Sequence, residues 1–212
     1  MKIRHLTYFI MLNFINQRAY FQRISYNFNE VLMIHIRSKR QKNETIRKAF
    51  PDALIIDVTS KSTDKWIAFS PFYPHGNIPI PFSDGEIANS VEGIWQGLKV
   101  FQNMDVDVSK FQISNMRNLK RTTKKYGKII GHRKGVHGAE ILDYHDARFQ
   151  IYIPSYKWIL ENKLSDLVAE LHRLNDKNDI VLLDYNINEN IEDLSKPISH
   201  AELIKLFMEN KL

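Results

Sequence analysis

The sequence predicts an α+β fold, a single mainly helical domain with a small β-sheet, on three observations. Short β-branched runs bounded by polar or turn residues occur at 31–36, 53–60 and 179–185. Between and after them lie segments with helical apolar spacing, at 91–101, 155–174 and from Ser199 onward. No internal repeat, low-complexity stretch or linker divides the chain, and 212 residues with 43% hydrophobic content can bury one sizeable core.

Taken in order, Met1 to Tyr20 holds early basic residues and an apolar run, YFIMLNFI, interrupted by Asn13 and followed by no small-residue cleavage site. That run is also shorter than the roughly 20 residues a spanning helix needs. Residues 1–30 are therefore expected to be a peripheral N-terminal extension and 31–212 the folded domain, in a soluble, cytoplasmic protein with no membrane contact. VLMIHI (31–36) predicts a strand, NETIRKAF (43–50) a short helix capped by Asn43 and stopped by Pro51, and ALIIDVTS (53–60) a second strand, so the opening is β-α-β in style. FSPFYPHGNIPIPF (69–82) lacks amide donors at four prolines and predicts an extended run along the surface.

Asn89 or Ser90 caps the next expected helix, whose apolar face carries Val91, Ile94, Trp95, Leu98 and Phe101. A second helical region is expected within 111–127, ending near Gly127. The glycines at 131, 135 and 138 predict a loop holding two histidines, and QIYI (150–153) predicts a strand. Helices across 155–174 and a short buried strand at 179–185 follow. The final helix opens with S-H-A-E, a capping box of Ser199 and Glu202.

The cysteine count of zero excludes disulfide scaffolds, thiol nucleophiles and cysteine-held zinc, leaving carboxylates, histidines and hydroxyls for any catalysis. Net charge is +6, yet residues 117–134 alone hold eight Lys or Arg and no acid, so the remainder is net negative. A local basic surface of this kind suits phosphates, or is simply a solvated charged face. No P-loop, zincin, nucleophile-elbow or Rossmann motif is present.

Three constellations carry chemistry. Glu92, Gln96 and Lys99 fall at i, i+4 and i+7 beside the apolar face bearing Trp95. That stripe is either an ordinary solvent face or a carboxylate desolvated among aromatics, whose pKa would rise into the range useful for acid–base work. GHRKGVHG (131–138) matches no metal template; its glycines and Arg133 with Lys134 instead suit an anion-binding loop, with His132 as a further donor. In LLDYNINENIEDL, Asp184 ends a buried strand, where a rigid sheet can position it, while Glu192 and Asp193 follow in a turn-rich loop.

The order F-S-P-F-Y-P followed by S-V-E-x-x-x-Q-x-x-K-x-F resembles the signature of the NADAR (YbiA-like) N-glycosidase superfamily. The loop match is Phe69, Ser70, Phe72, Tyr73 and Pro74, and the helix match is Ser90, Val91, Glu92, Gln96, Lys99 and Phe101. Beyond 66–101, KKYGKIIGHRK is similar to the family's basic region and ISHAELIKLFME to its closing helix. Pro71, Gly93 and Trp95 depart from the pattern, as does the missing tryptophan-glycine stretch near the C-terminus, which marks a divergent member.

The resemblance implies a YbiA-like fold and hydrolysis of an N-glycosidic bond to ribose. The implied substrates are an ADP-ribosylated guanine base or a phosphorylated ribosylamino intermediate of the riboflavin pathway, cleaved with no metal and no redox cofactor. In that chemistry Glu92 stabilises the oxocarbenium-like state, and Asp184, or second to it Asp193, assists water or holds the ribose. Ser70, Phe72, Tyr73, Trp95 and Gln96 bind the substrate, with Lys99, His132, Arg133 and Lys134 toward phosphates. The implied partner is a nucleotide-type small molecule or ADP-ribosylated nucleic acid contacted through 117–134. The alternative is a non-enzymatic ADP-ribose, nucleotide or nucleic-acid binding protein.

Overall fold

Five consecutive buried residues, Ile180–Asp184, form the central strand around which the domain is organised. In the computed structural model of the chain the described residues are 33–212; the expected extension over 1–30 lies outside them, as do the first two residues of the strand expected at 31–36. Strand β1 (Ile34–Ser38) leads through helix α1 (Asn43–Ala49) to β2 (Leu54–Asp57). The two strands do not pair with each other. The late strand lies between them, parallel to both, with Ile34 and Leu54 each in register with Ile180.

The alternation of a strand explains the layers on either side. Ile180 and Leu182 enter the main core, while Val181 and Leu183 face a small cluster with Ile46 and Ala53 beneath α1. Each such fully buried aliphatic side chain contributes roughly 1.5–3 kcal/mol. Asn43 is the first residue of α1 and not its cap; that position is Lys42, which makes no side-chain capping bond.

The proline-rich stretch does not run over the surface. After a 3-10 turn at Lys65–Phe69 it dives into the core with Phe69, Ser70 and Pro71 buried, then forms β3 (Ile78–Pro79), antiparallel to β4 (Ile87–Ala88). Ile78 and Ile80 are buried, so prolines alternate with isoleucines that supply the inward face. Helix α2 (Val91–Leu98) follows with Ser90 as its cap, the hydroxyl accepting from the Gly93 amide at 3.0 Å. Its continuation is a strand, β5 (Lys99–Phe101), so Phe101 belongs to the third sheet and not to the helix face.

That sheet runs β5–β6–β7, antiparallel, with β6 spanning Ile129–Arg133 and β7 Ile141–Leu142. Gly131 and His132 are thus strand residues and not part of a glycine loop. A Cβ at Gly131 would lie 2.3 Å from the Leu142 carbonyl oxygen, so the glycine serves close strand pairing. The helix expected in 111–127 amounts to one turn, α3 (Thr123–Tyr126), closed by Gly127 at φ 83°.

Residues 150–153 are helical, not extended. Asp143 starts α4 (Tyr144–Ala147) by accepting from the Asp146 amide, and the helix passes through a π turn at Arg148–Tyr152 into α5 (Ile153–Asn162). Pro154 has no N–H for the carbonyl four residues back and its ring crowds that oxygen, which the wider turn accommodates. Helix α6 (Ser165–Asn175), the central strand β8 (Ile180–Asp184) and α7 (His200–Met208) complete the chain. Ser199 is the cap position of α7, but the S-H-A-E box does not form: the Ser199 hydroxyl donates to Asp184 at 2.7 Å, and the same carboxylate accepts from the His200 amide at 3.1 Å. Among the described residues no helix is long and apolar enough to cross a membrane.

Candidate functional site

A cavity of about 550 Å³ opens between the N-terminal half of the domain and the segment 184–200, walled by residues from α2, the π turn, the end of β8 and the 120–132 stretch. Eight of the residues singled out from sequence line it: Ser70, Phe72, Glu92, Trp95, Gln96, Lys99, His132 and Asp184. The polar stripe of α2 is not a solvent face. Glu92, Gln96 and Lys99 are 7%, 4% and 9% exposed, because the cavity and the residues around it cover them.

Local packing explains how α2 holds this stripe in place. The Glu92 amide donates to the Pro71 carbonyl at 2.8 Å, so the loop carrying Ser70 and Phe72 is tied to the helix start. On the opposite side Gly97 lies against the Phe111 ring, to which an added Cβ would come within 2.1 Å, and this close contact fixes the helix depth. Gln96 Nε2 donates to Glu92 Oε1 at 2.9 Å, and Gln96 Oε1 accepts from the Arg121 amide at 3.0 Å. The amide is thereby oriented with its N–H toward the carboxylate. Glu92 Oε2 has no protein donor among the described residues and is left for the cavity.

Electrostatics follow from that burial. Desolvation pushes the Glu92 carboxyl above its usual range, against the opposing pull of the Gln96 hydrogen bond and the charges of Lys99 and Lys120. Burial lowers the Lys99 ammonium, Glu92 counters it, and Arg121 and Lys120 add to the lowering. Lys99 makes no ion pair within 4.0 Å among the described residues; its Nζ lies 5.7 Å from the Trp95 ring centroid. His132 stacks on Trp95 at 3.7 Å between centroids, and burial, with Lys99 and Arg121 adding, drives it down to about 3, so it is neutral. Neither of its ring nitrogens has a hydrogen-bond partner among the described residues.

Asp184 stands at the far wall in a contrasting environment. Its Oδ1 accepts from the Tyr185 amide at 2.6 Å, and its Oδ2 from Ser199, the His200 amide and His200 Nδ1, the last at 2.9 Å. Burial pushes this carboxyl up, but the His200 charge and these donors more than offset it and hold the group at about 2. His200 Nε2 lies 2.9 Å from the Val58 carbonyl oxygen, so both ring nitrogens face acceptors and both must carry protons. Burial lowers His200, and Asp184 reverses this to leave its pKa raised. The pair is a buried aspartate–imidazolium brace with no oxygen left to act as a base.

Three sequence-selected binding residues and one alternative lie elsewhere. Tyr73 stacks on His75 at 4.9 Å. Arg133 pairs with Asp105 at 2.5 Å and donates to the Ala139 carbonyl, and Lys134 pairs with Glu140 at 2.8 Å, so the expected anion loop has its charges neutralised internally. Asp193 closes its own turn by accepting from Ser195, at 2.9 Å from the amide. Asp143, His145 and Asp146 bring ligand-type atoms within 4.8 Å of one another at the exposed start of α4, where Asp143 already serves as the helix cap.

Sequence reasoning missed Lys120, Tyr144, Arg148, Tyr152 and His200, all in the wall. Tyr144, Arg148 and Tyr152 recur every four residues, a helical signal hidden by reading QIYI as a strand. Tyr152 lies edge-on to Trp95 at 5.5 Å, and burial with the charges of Glu92 and Asp184 raises its phenol well above the ordinary value. It is a neutral phenol lining the same cavity as both carboxyls. Arg148, fully buried, donates to the carbonyls of Ile191, Asp193 and Lys196 and so anchors the loop that closes the far wall.

Residues 38–204 match the family model described as a family of unknown function (DUF6939). The chain belongs to this family. The matched span contains every residue of the cavity wall, from Thr59 to His200. No curated protein matches the sequence. The DUF6939 description states no activity, and the chemistry rests on the wall itself: one buried carboxyl with a free oxygen, aromatic surfaces on two sides and ammonium groups within reach.

Proposed function

We propose that this protein is a hydrolase that cleaves the N-glycosidic bond between ribose and a base in a nucleotide-type substrate, with a YbiA-like architecture and without a metal. The observation that carries the reading is the free Oε2 of buried Glu92 inside an aromatic cavity of about 550 Å³. Breaking the C1–N bond develops positive charge on the ribose, and a desolvated carboxylate beside it stabilises that charge more strongly than in water. The same oxygen accepts the proton of the attacking water as the C1–O bond forms and the C1–N bond breaks; the departing base nitrogen takes up a proton from solvent and Glu92 returns its own to solvent, so the net change is water added across the bond. Trp95 and Phe72 supply stacking surfaces for the base, and the Tyr152 phenol donates to a ribose or base oxygen. Gln96 orients Glu92. Asp184 with His200 braces the wall, which moves Asp184 from a reacting group to a structural one.

An ADP-ribosylated guanine base and a phosphorylated ribosylamino intermediate both fit this chemistry. The test incubates the full chain with each class and follows released base by chromatography. Release from one class by wild type, with Glu92→Gln slower by roughly 100- to 10,000-fold, supports the reading. Inertness on both, or a fully active Glu92→Gln, overturns it.

One observation favours a second reading, binding without turnover. Within 117–134, Arg117, Lys120, Lys124, Lys125 and Lys128 have no carboxylate within 4.0 Å among the described residues, unlike Arg121, Arg133 and Lys134. That strip adjoins the cavity through Lys120. Binding of a nucleic acid there would weaken steeply with added salt.

A further inference from the structure

We propose that Lys99 and Lys120 form an anion subsite in the cavity that takes a phosphate monoester dianion of the ligand. The inference rests on the nucleotide-type reading of the same cavity and specifies which end of the ligand lies where. Four Lys or Arg side chains line the wall against two carboxylates, Glu92 and Asp184, and the second is already neutralised by His200. The two arginines are occupied. Arg148 donates to the carbonyls of the closing loop, and the two terminal nitrogens of Arg121 to the carbonyls of Gln96, Lys99 and Asp105, while Arg121 Nε lies 3.9 Å from Asp107, so both guanidinium groups are held mainly by the fold.

The two lysines differ in this respect. Lys99 is nine-tenths buried, and among the described residues its ammonium has neither a hydrogen-bond acceptor nor an ion-pair partner. An ammonium that lines the cavity without a protein partner is completed by an anion entering there. Lys120 is exposed at the rim, with its Nζ 5.5 Å from the centroid of the Phe72 ring. Both lysines act electrostatically on Glu92, so all three charges share one neighbourhood. Two ammonium groups match a dianion, and Thr122 on the same wall adds a hydroxyl donor.

This arrangement places the phosphate toward the rim and the ribose carbon deeper, beside Glu92. It also couples binding to protonation, since a dianion beside Lys99 favours the charged ammonium that burial disfavours, and the complex takes up a proton there. Arg133 and Lys134, which the basic motif pointed to, take no part because Asp105 and Glu140 already hold them.

The experiment titrates the full chain calorimetrically with ribose and with ribose 5-phosphate at pH 7.5, in buffers of different ionisation enthalpy, and repeats it on Lys120→Ala and Lys99→Met. The expected result is about tenfold tighter binding of ribose 5-phosphate than of ribose, net proton uptake, and loss of that preference in both variants. Lys120 is exposed, so Lys120→Ala keeps the question answerable if Lys99→Met fails to fold. Equal binding of the two sugars, including no measurable binding of either, overturns the subsite, as does an unchanged preference in folded Lys120→Ala. A parallel titration with a short single-stranded oligonucleotide separates the two sources of phosphate. Tighter binding of the oligonucleotide, weakened by Lys124→Glu and Lys125→Glu, assigns the lysines to a phosphodiester backbone and overturns the monoester. Base release is measured on the same protein preparations with the two base-bearing substrate classes named above: lysine-dependent phosphate preference without base release sinks the hydrolase and keeps the subsite, and base release without the preference does the reverse.

Discussion

Glu92 reaches the cavity from the first turn of α2 with one side-chain donor on one oxygen, whereas Asp184 reaches it from the end of β8 with both oxygens occupied. Both are buried, and both stood out in the sequence as carboxylates displayed by regular elements. Burial raises the first, while burial is overcome by His200 in the second, which is held at about 2. What separates a reactive carboxyl from a structural one here is unused hydrogen-bonding capacity. Desolvation is common to both, and only Glu92 has an oxygen to offer a ligand.

The largest effect that would sharpen this contrast is on Glu92. Replacing it by Gln is expected to remove about 3–5 kcal/mol of transition-state stabilisation while leaving the thermal midpoint within a few degrees. Asp184→Asn is expected to show the opposite pattern, a loss of about 3 kcal/mol in unfolding free energy with turnover per folded molecule largely kept, because one partner of a buried pair is removed. Denaturant unfolding and active-site-normalised rates distinguish the two, and an exchange of phenotypes would break the comparison.

The brace also has a pH signature. The Asp184 contribution is present above the ordinary 3.8 and is lost as pH falls toward about 2. The His200 contribution, from a raised pKa, is present below the ordinary 6.5 and is lost as pH rises through its folded-state value. Unfolding free energy is thus expected to plateau between these limits and to decline on the alkaline side in wild type but not in His200→Gln.

A smaller change tests the orienting role of Gln96. Gln96→Leu deletes the donor to Glu92, so the acid limb of kcat/KM is expected to move to higher pH, with kcat falling about tenfold. An unchanged limb would show that Glu92 needs no such support. The smallest effect is expected at Glu202, a carboxyl outside the cavity that burial raises to about 7 and whose buried Oε2 lacks a hydrogen bond. A raised carboxyl favours the folded state when protonated, so stability falls as pH rises through 7. Glu202→Gln should stabilise by about 1 kcal/mol at pH 8 and not at pH 5, read by thermal denaturation.

The fold class, the three main strands and a helix cap at Asn89 or Ser90 were legible because each depends on periodicity or cap chemistry within a few residues, and the structure selects Ser90. The stripe Glu92, Gln96, Lys99 was visible as a stripe, but its burial was not, since that is imposed by residues near 70, 120, 148 and 184–200 arriving from elsewhere in the chain. Tyr152 was hidden because the π turn that displays it answers to Pro154 and to packing and not to local β-propensity. Ser199 and Glu202 satisfied the pattern of a capping box, yet Asp184, fifteen residues upstream of Ser199, supplied a better acceptor for the helix start. Arg133 and Lys134 carried charge in the right motif, but their acidic partners Asp105 and Glu140 decided what that charge does.

The central position of β8 has a consequence for how the chain is made. Met33 meets Asp179 across 146 residues of sequence, and β1 and β2 flank a strand that is synthesised long after both of them. Until Ile180–Asp184 is synthesised, the inner edges of both early strands lie unsatisfied and their isoleucines uncovered. Closure of the sheet is therefore an event of high contact order, slow relative to helix formation, and the nascent chain is a natural client for chaperones that shield open strand edges.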